Sequence, residues 1–215
     1  MMAVVGSRAV IVEDHDALSR GLELVLGKAG IDVVGSARTE QEGYEIILRE
    51  RPGLAVVDIG LEDGSGVELA RRLAESEPDL GVLIYTGLDD EGLLREAIDS
   101  GARGFALKAG PARDLVAAAR AVASGGTYVD PHLTFILGAS ATGEVATLSP
   151  REREVMAALA EGLKAPQVAE RLGIAPDTVR THVENAMQKL DARTRAHAIA
   201  IALQHGLIEI PDSTY

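Results

Sequence analysis

Five residues stand where short apolar runs stop, and their chemistry is mutually compatible. Glu13-Asp14 follows the run ending at Val12, Asp58 follows Val57, Thr86 follows Tyr85 and Lys108 follows Leu107. If these runs are strands of one parallel sheet, the residues collect at its carboxyl edge, where open α/β sheets bind ligands. Three converging carboxylates repel one another, so either one holds a proton or a cation neutralises them. An all-oxygen ligand set at an open edge favours Mg²⁺, which keeps part of its water shell and accepts phosphate oxygens. Lys108 and Thr86 suit the opposite side of an incoming phosphoryl group, as charge partner and hydrogen-bond donor. Asp58, at the centre, is the carboxylate placed to act as nucleophile and form an acyl phosphate. One aspartate at a strand end is ordinarily a helix cap. Four strand ends with matching chemistry point to a site.

The elements that must position these residues are legible as alternating patterns. Short apolar runs at Ala9–Val12, Ile31–Val34, Leu54–Val57, Val82–Tyr85 and Gly104–Leu107 read as buried strands. Between them lie stretches with helical spacing, such as Leu18, Leu22, Val25 and Leu26. Five strand-then-helix units predict a doubly wound, five-stranded parallel sheet covered on both faces. The fifth helix is expected from about Pro111 to Ser124, where Gly125-Gly126 stops it. Residues 126–147 lose the pattern, and the small polar run from Gly138 to Gly143 reads as an interdomain linker. From residue 148 to 210 the β pattern is gone. Four helical segments are expected there, at about 150–161, 166–172, 176–190 and 194–206. The architecture predicted is an α/β domain over 1–125, a linker, and a small all-α domain over 148–210.

The charge is unevenly spread. The net charge is −12, but residues 1–147 carry 24 Asp and Glu against 13 Lys and Arg, whereas residues 148–211 carry 8 of each. The acidity therefore belongs to the α/β half and does not exclude nucleic acid as a partner of the second half. A neutral module binds DNA weakly by charge alone, so a dimer would help. The absence of cysteine removes disulfide, thiolate-metal and cysteine-nucleophile chemistry and fits a cytoplasmic protein. No apolar run approaches the ~20 residues of a membrane span, so no membrane role is expected.

Glu13-Asp14-His15, Val56-Val57-Asp58, Tyr85-Thr86-Gly87 and the run from Gly101 to Lys108 resemble the receiver domain of two-component response regulators, which has a flavodoxin-like fold. The resemblance implies that Glu13, Asp14, Asp58 and the backbone carbonyl of Gly60 hold Mg²⁺. It also implies that Asp58 takes a phosphoryl group from the phosphohistidine of a sensor histidine kinase. Thr86 and Lys108 would bind the phosphoryl oxygens, and Phe105 would be the switch aromatic that turns inward when Thr86 moves. Two departures stand out. Glu62 replaces the usual proline after the acceptor, adding charge and loosening the loop, and Ala109 replaces the proline that often follows the lysine, which removes the expected cis bond.

In the second half, Ser149, Pro150 and Glu152 make a capping box, and Leu172-Gly173-Ile174-Ala175-Pro176 is a short glycine-containing turn between helices. The next helix puts Val179, Val183, Ala186, Met187 and Leu190 on one stripe, with Arg180, Thr181, Glu184, Gln188 and Lys189 opposite. The segments 148–155, 168–174 and 178–183 resemble the LuxR-type helix-turn-helix of NarL/FixJ-class response regulators. That resemblance implies major-groove contacts from Arg180 and Thr181 and a phosphate contact from Lys189. Glu184 stands at a position often polar or basic and would either repel the backbone or accept from a cytosine amine. The last helix, from Thr194, is expected to expose an Ala-rich dimerisation surface. The function implied is a phosphorylation-controlled transcription regulator that binds DNA half-sites as a homodimer, rather than an enzyme. A phosphatase of the haloacid-dehalogenase type also uses an aspartyl phosphate but needs a second acid two residues on, where this chain has Gly60.

Overall fold

The computed structural model describes residues 7–87, 91–138 and 147–210. Its first part follows β1 (Arg8–Val12), α1 (Asp16–Lys28), β2 (Asp32–Ala37), α2 (Glu40–Glu50) and β3 (Leu54–Val57). After β3 come a small hairpin of β4 (Gly60–Leu61) and β5 (Gly64–Ser65), then α3 (Gly66–Ser76), β6 (Gly81–Thr86), α4 (Glu91–Ala97), β7 (Gly104–Leu107) and α5 (Ala112–Ala123). The central sheet is parallel, in the order β2-β1-β3-β6-β7-β8, so it has six strands where five were expected. The extra strand, β8 (Tyr128–Val129), pairs with β7 at the edge. Two residues are too short to show any periodicity, and only the chain's return to the sheet edge makes them a strand.

Alternation along the strands builds two cores. Ala9 and Ile11 face α1 and α5 and pack with Leu22, Leu26, Leu115 and Val122, whereas Val10 and Val12 face α2 and α3 with Ile47, Leu69 and Leu73. Both faces of β3 and β6 are buried, as central parallel strands require.

Residues 126–138, within the stretch read as linker, hold β8, a 3₁₀ turn at Pro131–Leu133 and α6 (Thr134–Leu137). Leu133, Ile136 and Leu137 are buried, at a spacing of three and four that only a short helix explains. The rest of the small polar run, residues 139–143, lies outside the described residues.

The second part comprises α7 (Pro150–Ala160), α8 (Ala165–Leu172), α9 (Pro176–Lys189) and α10 (Arg195–Gln204). The Ser149 hydroxyl accepts from the Glu152 N–H, and the Glu152 carboxylate accepts from the Ser149 N–H at 2.8 Å, which closes the capping box. Gly173, left-handed at φ 64°, ends α8 and makes the turn into α9.

The expected exposed surface on the last helix is absent. Every residue of α10 from Ala196 to Ala202 is buried, against α6, α7, α9 and β8. Ala and Ile occur on all sides of this helix, and a helix apolar all round is a buried one. The apolar core is accordingly continuous from the sheet through Ile98, Leu133 and Leu137 into α10. Among the described residues no helix is long and apolar enough to cross a membrane.

Candidate functional site

Strand register delivers the acidic and basic groups to one edge. Val12 pairs with Val57, and Val57 with Ile84. The backbone ladder then runs one residue further: Asp58 N–H donates to the Val12 carbonyl at 2.9 Å, and Lys108 N–H donates to the Thr86 carbonyl at 2.8 Å. Glu13, Asp58, Thr86 and Lys108 are thereby fixed by main-chain hydrogen bonds or strand pairing, so their side chains start from a rigid frame.

The Lys108 ammonium bridges two carboxylates, 2.7 Å from Asp58 Oδ2 and 2.8 Å from Glu13 Oε2. Glu13 and Asp58 are buried, and Lys108 keeps partial exposure. Burial pushes the Glu13 carboxyl above the ordinary range, the charge of Asp58 adds to this, and Lys108 opposes it. For Lys108 burial works against the charge, yet hydrogen bonds to Asp58 and Glu13 outweigh it and raise its pKa. Glu13, Asp14, His15 and Asp58 each offer a ligand atom, all within 4.8 Å of one another. That donor set of three carboxylates with an open side suits a small hard cation. His15 was not singled out from sequence as a ligand. Its Nδ1 lies 2.6 Å from Asp14 Oδ1, which raises the imidazole pKa. A side chain three positions past the strand, on the solvent side of the acids, leaves no signal beyond residue type.

Thr86 is buried at the end of β6, with its hydroxyl donating to the Gly87 carbonyl at 2.9 Å. Phe105 is fully buried on β7, paired with Ile84 and Val129. Gly60 is exposed in the hairpin after Asp58. Glu62 does not stand as a free charge. Arg38 spans from Asp16 at 2.8 Å to Glu62 at 3.1 Å, and Asp63 accepts the Glu40 N–H at the start of α2. The Lys108–Ala109 bond is trans.

Gly66 is a supporting residue that the sequence did not reveal. A Cβ there would lie 1.9 Å from the Asp58 carbonyl oxygen, so α3 starts against the backbone of Asp58 itself. Only glycine permits this approach, and the Gly66 N–H closes the loop by donating to the Ile59 carbonyl at 3.0 Å.

In the helical part, Arg180, Thr181 and Glu184 are exposed on α9, and Arg180 lies 3.5 Å from Glu184. Val179 and Ala186 are buried on the opposite face. Lys189 is engaged: its ammonium reaches both Glu152 carboxylate oxygens, at 2.9 and 2.7 Å, and ties the end of α9 to the start of α7. The two parts also meet through polar contacts. Thr194 donates to the Ile98 carbonyl at 2.8 Å, and Arg193 and His197 approach Asp99 at 3.1 and 3.4 Å.

A family model described as the response regulator receiver domain matches residues 9–120, and one described as bacterial regulatory proteins, luxR family, matches residues 146–202. The oxygen regulatory protein NreC of Staphylococcus epidermidis is 33% identical over 216 residues, covering 94% of this chain and 99% of that protein. The transcriptional regulatory protein LnrK of Bacillus subtilis is 32% identical, covering 93% of this chain and 98% of LnrK. Among solved structures, the response regulator ChrA of a heme-sensing two-component system is 30% identical with a TM-score of 0.56, covering 95% of this chain and all of that one. An RcsB–DNA complex, 21% identical with a TM-score of 0.57 and covering 93% and 98% of the two chains, shares the fold.

Proposed function

The chain belongs to the NarL/FixJ class of two-component response regulators, a phosphorylation-controlled transcription regulator with a receiver and a LuxR-type DNA-binding domain, and from that premise we propose how its own residues perform the work. Asp58 is the phosphoacceptor. One of its carboxylate oxygens attacks the phosphorus of a sensor kinase's phosphohistidine, the P–N bond breaks, and the imidazole leaves with the electron pair. Lys108 then turns its ammonium from the free carboxylates to a phosphoryl oxygen, and the Thr86 hydroxyl moves from the Gly87 carbonyl to another. Glu13, Asp14, Asp58 and the Gly60 carbonyl would hold Mg²⁺, which would supply charge neutralisation where the phosphoryl oxygens meet the acids. The observation that carries this reading is the convergence of Glu13, Asp14 and Asp58 at the sheet edge, with one ammonium bridging Glu13 and Asp58.

Phosphorylation adds about −1.5 to −2 charges beside Lys108. Movement of Thr86, followed by Phe105, alters the surface formed by β6, α4, β7 and α5. α4 leads directly into Ile98 and Asp99, which hold the helical domain, so this contact is the element released. Release frees α10 to pair with a second copy, and the homodimer presents two α9 helices to two-fold-related half-sites. Arg180 and Thr181 reach base edges, Glu184 accepts from a cytosine amine or excludes other sequences, and Lys189 is shared between Glu152 and a phosphate. The protein works in the cytoplasm, receiver over 1–125 and DNA-binding domain over 148–210, with residues 126–147 joining them.

The test is phosphorylation with acetyl phosphate or a kinase, followed by DNA selection with and without beryllofluoride. The wild type takes up an acid-labile phosphate and selects a two-fold-symmetric sequence more strongly with beryllofluoride. Uptake of the same phosphate by Asp58→Asn would remove the assigned acceptor.

A further inference from the structure

A second cationic site lies between the two domains, remote from Asp58. A cavity of about 380 Å³ is lined by Gly101, Arg103 and Gly125 of the receiver part, by Thr127 just after it, and by Thr194 and Arg195 at the start of α10. Among the described residues no acidic side chain lines it. Arg103 donates to the Pro78 carbonyl at 2.6 Å and Arg195 to the Gly125 carbonyl at 3.1 Å. Among the described residues neither guanidinium has a carboxylate within ion-pair distance, whereas the neighbouring Arg193 pairs with Asp99 at 3.1 Å. Burial lowers the Arg195 pKa to about 10, and the like charge of Arg103 adds to this. Two cations thus share a partly desolvated space without a counter-charge, an arrangement that an anion would relieve. Thr127 supplies an independent sign of a missing ligand. It is 1% exposed, it lines the cavity, and its hydroxyl oxygen has no hydrogen-bond partner among the described residues. Buried hydroxyls without partners are uncommon and call for an explanation.

We propose that this cavity is a binding site for a small phosphate-bearing metabolite, held by Arg103, Arg195 and Thr127, whose occupancy locks the helical domain onto the receiver. Guanidinium forks match the oxygens of a phosphate, and the Thr127 hydroxyl can donate to one of them. The volume exceeds what bare phosphate fills and leaves room for the organic part of a monoester. Because the lining residues come from both domains, a ligand that binds only the closed arrangement stabilises it by mass action. The site is distinct from the acceptor pocket: Arg103 precedes β7 and Lys108 follows it, roughly 16 Å apart along an extended chain.

The test titrates the full-length chain with inorganic phosphate and with glycerol 3-phosphate, in EDTA at constant ionic strength, reading Tm and the amide signals of Gly125 and Thr127. Saturable shifts at these amides are expected, with a Tm rise of about 3–6 °C at ten times Kd. Tighter binding of glycerol 3-phosphate identifies a monoester as the ligand, and equal binding identifies free phosphate. Arg103→Gln and Thr127→Val, chosen because a half-exposed and an isosteric change leave the fold intact, each weaken binding tenfold or more. Lys108→Ala leaves it unchanged. Non-saturating shifts that chloride reproduces, full binding by both cavity variants, or loss of binding in Lys108→Ala would each overturn the proposal.

Discussion

Replacing Lys108 by methionine isolates the electrostatics of the Glu13–Asp58 pocket, because the side chain keeps its length and loses only its charge. In the wild type the ammonium lies 2.7 Å from Asp58 and 2.8 Å from Glu13, whose side chains are 8% and 1% exposed. At an effective dielectric constant of about 20, each such pair contributes roughly 6 kcal/mol of Coulomb attraction before desolvation is counted. Breaking a buried pair by removing one partner costs about 3–5 kcal/mol. Lys108 is itself 22% exposed, so the lower end applies, about 3 kcal/mol. Urea unfolding at pH 8 in EDTA, followed on the receiver, measures this loss. Mg²⁺ should recover at least half of it, because a cation can take the place of the ammonium between the same acids. For the same reason the variant should bind Mg²⁺ about tenfold more tightly than the wild type, a difference of ~1.4 kcal/mol. The deficit should also shrink on acidification. Glu13 already has a raised pKa from burial, and a raised carboxyl contributes stability as pH falls through its folded value. A variant as stable as the wild type in EDTA, with unchanged Mg²⁺ affinity, would refute the idea that Lys108 neutralises the pocket.

Gly66→Ala should cost ~1–3 kcal/mol, because the new Cβ meets the Asp58 carbonyl oxygen and the loop must shift; a thermal melt and the phosphorylation rate should fall together. Glu152→Ala removes both a cap and two bonds to Lys189, for a loss of ~2–3 kcal/mol in chemical denaturation. Glu152→Gln, which keeps an acceptor for the Ser149 N–H, should lose less. His197 is buried where α10 meets Asp99, and burial lowers its pKa despite that carboxylate. A histidine with a depressed folded pKa contributes stability above its ordinary value near 6.5 that is lost as pH falls through the folded value. The stability difference between wild type and His197→Leu should therefore change between pH 7.5 and 5, with the wild type losing more on acidification.

The convergence of Glu13, Asp14, Asp58 and Lys108 at one sheet edge was legible because its parts follow from local pattern. Strands central to a parallel sheet are apolar throughout, so the first polar residue after each run marks the sheet edge and names its own chemistry. The capping box at Ser149 and the buried stripe of α9 were readable for a similar reason, since both depend on spacings of three and four within one helix. Contacts between distant segments carried no such trace. Nothing near Gly66 in sequence announces that the Asp58 carbonyl will lie against it, and nothing near Glu62 announces Arg38. Lys189 reads as a free phosphate contact until folding brings Glu152, 37 positions away, to its ammonium. The apolar residues of α10 were visible, but whether they meet a second copy or the receiver is a choice among surfaces of equal hydrophobicity. Burial is non-directional, so composition fixes how much of that helix must be covered, and only the tertiary arrangement decides by what.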